Sequence, residues 1–203
     1  MGIIVGCSLF YFFPLFHIVP LAKAQQEKAA EKFNPEQFAE KFWSEHLLQS
    51  LDKAVPAEVL LPAIQGDPVA ARKEYGHTLG MSESYTYFVS GTGRVVSVSD
   101  DEVGLAITSG ATKAEVVLQT GLLFGNAVRD GTGLINVNDY LNSQDFNGIA
   151  EALNRIVETR VLPKLHEQAK AGTSIRFVGC AEVDNESTDL HPLHVIPVKA
   201  EIE

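Results

Sequence analysis

An α+β fold is predicted for this chain: a five-stranded Greek-key β-barrel, an N-terminal helical segment, and a long helix between strands 3 and 4. Three observations lead there. Runs of strand-forming or alternating residues recur over 85–98, 103–107, 114–118, 174–181 and 193–202. Apolar residues at helical spacing over 146–161 separate the third run from the fourth. Gly91 and Gly93 place a bulge or sharp bend inside the first, long strand. Three strands, a helix and two strands, with an early bend in the first, is the order of an OB-type barrel. An open α+β sheet built from the same strands is the alternative.

The chain starts with an apolar leader: residues 2–22 contain no Asp, Glu, Lys or Arg. At about 1.5 Å per residue, about 20 such residues cross a bilayer core of roughly 30 Å. Residues 1–24 are therefore expected to be a signal peptide or a membrane anchor. Three readings compete. Ala22-Lys23-Ala24 fits a small-x-small cleavage site. The apolar run exceeds the usual signal core of about 7–15 residues, which favours an uncleaved transmembrane helix. Ile4-Val5-Gly6-Cys7 loosely matches a lipoprotein box, although Cys7 opens the apolar run rather than closing it. Lys23, Lys28 and Lys32 follow the leader and, by the positive-inside rule, pull the globular part toward the cytoplasm. The expectation is nonetheless a single span at the cell membrane with the domain outside, in the periplasm, because the missing basic start leaves room for an upstream start codon.

A helical segment is expected over 25–83. Asn34-Pro35-Glu36-Gln37 is a helix start, with Asn34 capping and Pro35 at the first position. Phe38, Phe42, Trp43, Leu47, Leu48 and Leu51 then form one apolar stripe. A second helix follows Pro56, and Asp67-Pro68 starts a third that stops near Gly76. The barrel with its helical insertion occupies 84–203. Its strands are joined by turns at Asp100-Asp101 and Ser109-Gly110, and by a loop-rich stretch from Gly121 to Tyr140. Pro163 breaks or kinks the long helix, and Pro197 demands an edge or a bulge in the last strand.

The 203 residues carry a net charge of −10. An acidic surface repels phosphate backbones, and no basic run interleaved with aromatics offsets it, so nucleic acid is excluded as a partner. Serine-hydrolase, zincin and phosphate-loop signatures are missing, which makes catalysis the minority expectation. His191 and His194 are the nearest approach to a metal pair, but in a strand they point to opposite faces, and neither metal nor cofactor is expected. Cys180 reads as a small buried hydrophobe.

The densest polar cluster runs from Gly125 through Asn126, Arg129, Asp130 and Gly133 to Asn136, Asp139, Tyr140 and Asn142. Long loops on rigid scaffolds often carry function. Arg129 offers a planar donor fork, and Asp130, Asn136 and Asp139 accept from hydroxyls, a set suited to a sugar or another small polar ligand. Arg129, Asp130, Asn136, Asp139, Tyr140 and Asn142 are thus the expected ligand-binding residues. The alternative is architectural: Asn, Asp and Gly populate turns, Arg129 clamps the loop through Asp130 or Asp139, and Asn142 caps the long helix.

Phe-Asn-Pro-Glu-Gln-Phe at 33–38, Trp43, Tyr75-Gly76, the run Phe88 to Val96, Gly125-Asn126-Ala127-Val128-Arg129-Asp130, Asn138-Asp139-Tyr140 and Ala152-Leu153-Asn154 together resemble one family. It comprises bacterial predicted periplasmic lipoproteins grouped as a domain of unknown function, and the resemblance runs from about Phe33 to the end. It implies an OB-like barrel with a helical insertion outside the cytoplasmic membrane. Because the family's genes often adjoin sugar ABC-transporter genes, it also implies an accessory role in solute uptake, with transporter components as partners. No catalytic assignment carries over. Members typically end the leader at a lipidated Cys, whereas this apolar run continues past Cys7, so a membrane helix is expected in place of the lipid. The functional expectation is a non-catalytic, membrane-tethered binding or accessory protein. The alternatives are a scaffold that docks a membrane partner through its helical segment, and a carbohydrate-active enzyme.

Overall fold

The first turn of structure follows directly from its capping residue. Asn34 Oδ1 accepts from the Gln37 N–H at 2.9 Å, and Pro35 opens helix α1 (Pro35–Phe42). The computed structural model describes residues 33–80, 82–140 and 143–203. The leader, the spacer after it and Asn142 lie outside these, and so do the expectations that concern them. Among the described residues, no helix is long and apolar enough to cross a membrane.

Helix α1 passes into a π turn (Trp43–Leu47) that buries Trp43 and Leu47. Strand β1 (Val55–Pro56) leads into α2 (Ala57–Gly66), and Asp67 then caps α3 (Pro68–Tyr75) by accepting from the Ala70 N–H at 3.0 Å. Both cap-then-proline signals produce the helices expected of them. β2 (Gly76–His77) precedes the long β3 (Tyr85–Val98), which is followed by β4 (Glu102–Ala106) and β5 (Val116–Gln119). The stretch expected to be a loop contains a buried turn of helix, α4 (Ala127–Asp130), and a 3-10 turn (Val137–Asp139). Helix α5 (Ser143–Arg160) and α6 (Leu162–Gln168) are divided at Val161, beside Pro163. β6 (Ser174–Val183), a short α7 (Glu186–Asp189) and β7 (Leu193–Ile202) complete the chain.

The strand pairings run in a ring. β3 pairs antiparallel with β4, β4 with β5, and β6 with β7. β5 and β7 pair in parallel, and a ten-residue antiparallel ladder from Tyr85–Val183 to Arg94–Ser174 joins β3 back to β6. Inside lie Val95, Val103, Leu105, Val116, Leu118, Ile175, Phe177, Leu193 and Val195, all buried. Two short strands were not anticipated. β1, in parallel, and β2, antiparallel, hydrogen-bond to the first half of β3, which β4 does not reach. That edge is thereby covered rather than left open.

Of the bulge or sharp bend expected at Gly91 and Gly93, the register corrects the position of the bulge. Residues 85–94 run in unbroken pairing with β6, and the irregularity falls between Val95 and Ser97, against β4. The two glycines allow close packing. A Cβ at Gly93 would stand 2.9 Å from Leu105 Cβ, and one at Gly91 would stand 3.1 Å from both Ala57 Cβ and the Phe177 ring. The irregularity expected near Pro197 is present: Val178 pairs with Lys199 and Gly179 with Pro197, so Val198 is the extra residue.

Candidate functional site

The site is assembled around the backbone of residues 123–126, which belongs to no ladder and is held by side chains. Glu158 Oε1 accepts from the Leu123 N–H at 3.0 Å, Asn154 Nδ2 donates to the Gly125 carbonyl at 3.2 Å, and Glu182 Oε2 accepts from the Asn126 N–H at 2.9 Å. Two of these anchors come from α5 and the third from β6. A segment without a strand partner must still pair its polar backbone groups, and here carboxylates and an amide do so.

Helix α4 follows directly. Its Arg129 is 3 % exposed and is engaged on all sides. Nε and Nη2 donate to the two carboxylate oxygens of Asp130 at 2.7 and 2.8 Å, while Nη1 donates to the Phe146 carbonyl at 3.2 Å. The guanidinium carbon also sits 3.6 Å from the centre of the Phe146 ring. Arg129 therefore ties α4 to the first turns of α5. Tyr140 continues the aromatic stack, tilted against Phe146 at 5.3 Å and edge-on to Phe38 of α1 at 5.8 Å. Burial first, and then the charge of Asp139, raise the Tyr140 hydroxyl's pKa above its ordinary range.

The six expected site residues thus divide. Arg129 and Asp130 form a bidentate pair, and together with His77, Ser82, Thr86, Asn126 and Glu182 they border a small cavity of about 130 Å³. Tyr140 packs beneath Arg129's aromatic support. Asn136 stands apart on the exposed segment, its Oδ1 closing a turn with Asn138 N at 3.0 Å. Asp139 is exposed on the same segment, and Asn142 lies outside the described residues.

A larger opening of about 530 Å³ lies between the 123–126 segment and α5. Leu123, Phe124, Gly125 and Asn126 form one wall, and Asn147, Ala150, Glu151, Asn154, Arg155 and Glu158 the other. At about 100° per residue, these helix positions make one arc immediately beside the apolar stripe Phe146, Ile149, Leu153, Ile156 and Val157. Asn154, at the junction of the two arcs, is 5 % exposed. No described group donates to its Oδ1. The apolar stripe is the stronger sequence signal on this helix; the polar arc beside it shows only as Asn154 bordering a buried face, with Asn147, Glu151 and Glu158 at helical spacing.

Cys180 is buried against Gly131, and burial first, then the charge of Asp130, push its thiol well above the ordinary range, which suits a packing group rather than a reactive one. Among the described residues, no three His, Cys, Asp or Glu side chains gather to hold a metal ion.

The crystal structure of an OB-fold protein from Thermotoga maritima superposes with a TM-score of 0.75 at 25 % sequence identity, over 85 % of this chain and 100 % of that one. The chain has an OB fold with mixed α and β content, as its strand order predicts. No curated protein matches the sequence. A family profile does, over residues 7–201, and on that match the chain belongs to the family described as predicted periplasmic lipoprotein (DUF2291).

Proposed function

We propose that this protein is a non-catalytic binding component, tethered to the outer face of the cytoplasmic membrane, that assists a sugar or solute ABC transporter. The observation that carries this reading is the use made of the polar motif. Arg129, Asp130, Glu158 and Glu182 turn inward, and the structure they hold presents one open, mixed-polarity groove. Pockets of this size that join an apolar platform to a few convergent polar groups are typical of small-ligand sites. The OB fold alone supports no such assignment, because it hosts many unrelated roles.

The tether is a lipid on Cys7. The family's description as lipoproteins and the start of its matched region at Cys7 both favour the Ile4-Val5-Gly6-Cys7 box over a bare membrane helix. Cells fed an alkyne-bearing fatty acid are expected to label the wild-type protein and not Cys7→Ser, and protease added to spheroplasts should digest the domain before lysis. An unlabelled wild type that stays in the membrane would restore the helix reading. Digestion only after lysis would place the domain in the cytoplasm and overturn the proposal.

A further inference from the structure

We propose that the groove between residues 123–126 and α5 is a binding site for a neutral polyhydroxylated molecule of monosaccharide or disaccharide size. This rests on the binding role proposed above and names its site and ligand chemistry. Four features point to a polyol. First, the polar wall mixes donors and acceptors: Asn147 provides both, Arg155 only donates, and Glu151 and Glu158 only accept. A hydroxyl both donates and accepts, so a molecule carrying several can pair with each. Second, two carboxylates against one guanidinium leave the wall net negative on an already acidic protein, which disfavours phosphate and carboxylate ligands.

Third, Phe124 stands at the edge of the groove with 78 % of its surface exposed, beside Leu122 at 80 %. Large apolar side chains held this far into water by an anchored backbone suit a ligand with an apolar face, such as the C–H face of a sugar ring. Fourth, Asn154 is buried at the groove with its Nδ2 engaged by Gly125 and its Oδ1 without a donor among the described residues. That oxygen is closed to solvent, so a small rotation of the buried amide would bring its spare acceptor to a guest hydroxyl at the groove wall. The carboxylate of Glu158 already serves the Leu123 N–H, so Glu151, Arg155 and Asn147 are the side chains free to reorient around a guest.

The test uses the full-length protein in a detergent without a sugar headgroup. Glucose, galactose, xylose, myo-inositol and sucrose are titrated by calorimetry and by saturation-transfer NMR, with putrescine and inorganic phosphate as the charged arms. At least one neutral polyol is expected to bind saturably with a dissociation constant in the millimolar range or tighter. Arg155→Ala and Phe124→Ala, both at exposed positions, are each expected to weaken that binding by about tenfold or more with an unchanged melting curve. No saturation by any of the five at concentrations up to about 10 mM overturns the proposal. So does binding that both variants leave intact, or saturation by putrescine or phosphate alone. Fatty-acid labelling of the same preparations separates the two readings, since a labelled protein that binds no polyol overturns the groove assignment and leaves the tether standing.

Discussion

Arg129 shows how a charged side chain earns a buried position. Its planar fork meets both oxygens of Asp130, a backbone carbonyl takes a further donor, and an aromatic face covers the charge. Removing one member of such a pair leaves the other charge enclosed, so Arg129→Ala is expected to destabilise the fold by about 3–5 kcal/mol. Arg129→Lys recovers little, because an ammonium cannot span two carboxylate oxygens and a carbonyl at once. Urea denaturation of both variants checks this, and a loss below about 1 kcal/mol for the alanine variant would return Arg129 to the ligand set. Glu115 makes a second residue-level case. Burial raises its pKa, but donation from the Thr108 N–H and hydroxyl and the Ile107 N–H outweighs it, so the carboxyl sits below its ordinary value of 4.5. A depressed folded pKa gives stability that is present above the unfolded value and lost as pH falls through the folded one. The decline in urea midpoint between neutral pH and about pH 3 is therefore expected to be smaller in Glu115→Gln than in wild type.

At the scale of elements, the fit of α4 against β6 matters more than its length. This four-residue turn ends at Gly131, where an added Cβ would stand 2.7 Å from both the Ala127 carbonyl oxygen and Cys180 Cβ, and 2.5 Å from Cys180 Sγ. Gly131→Ala is expected to cost about 1–3 kcal/mol by overpacking. Cys180→Ala in the same chain restores only part of that loss, since it removes the sulfur and keeps the Cβ. Thermal denaturation of the single and double variants measures both. Elements with local signals were readable in advance: Asn34 and Asp67 cap the helices they precede, and α5 and α6 divide beside Pro163. α4 was not readable, because Asn-Ala-Val-Arg-Asp flanked by glycines carries turn chemistry, and its helical state depends on the salt bridge and on β6.

For the whole molecule, closure depends on the β3–β6 ladder, which joins residues 80 to 98 positions apart in sequence, and on the parallel β5–β7 pairing. Such non-local pairings open only when the ring itself opens. Hydrogen exchange is expected to be slowest at Tyr87, Val89, Phe177 and Cys180, and fastest over the exposed Gly133, Leu134, Asn136 and Asp139. Equal protection in the two groups would mean that the ring is not the stability core. The groove sits between α5, which is inserted between the two halves of this ring, and the segment leading to α4. Its shape is thus set by the ring's closure and by three side-chain anchors together.

What the sequence determined alone was local and periodic. Strand-forming runs and alternation identified five strands, helical spacing identified α1 and α5, and proline with a capping residue marked where helices begin, because each signal is read within a few residues. Their order was enough to select the OB topology. Tertiary structure decided the rest. It put the β3 irregularity beyond Gly91 and Gly93 and packed neighbours against both, recruited Val55–Pro56 and Gly76–His77 to cover an edge, and turned Arg129 inward upon Asp130. It also set the polar arc of α5 opposite Phe124 to make the groove. Each of these depends on groups far apart in the chain, and the energy of a contact is not written in either partner until folding brings the two together.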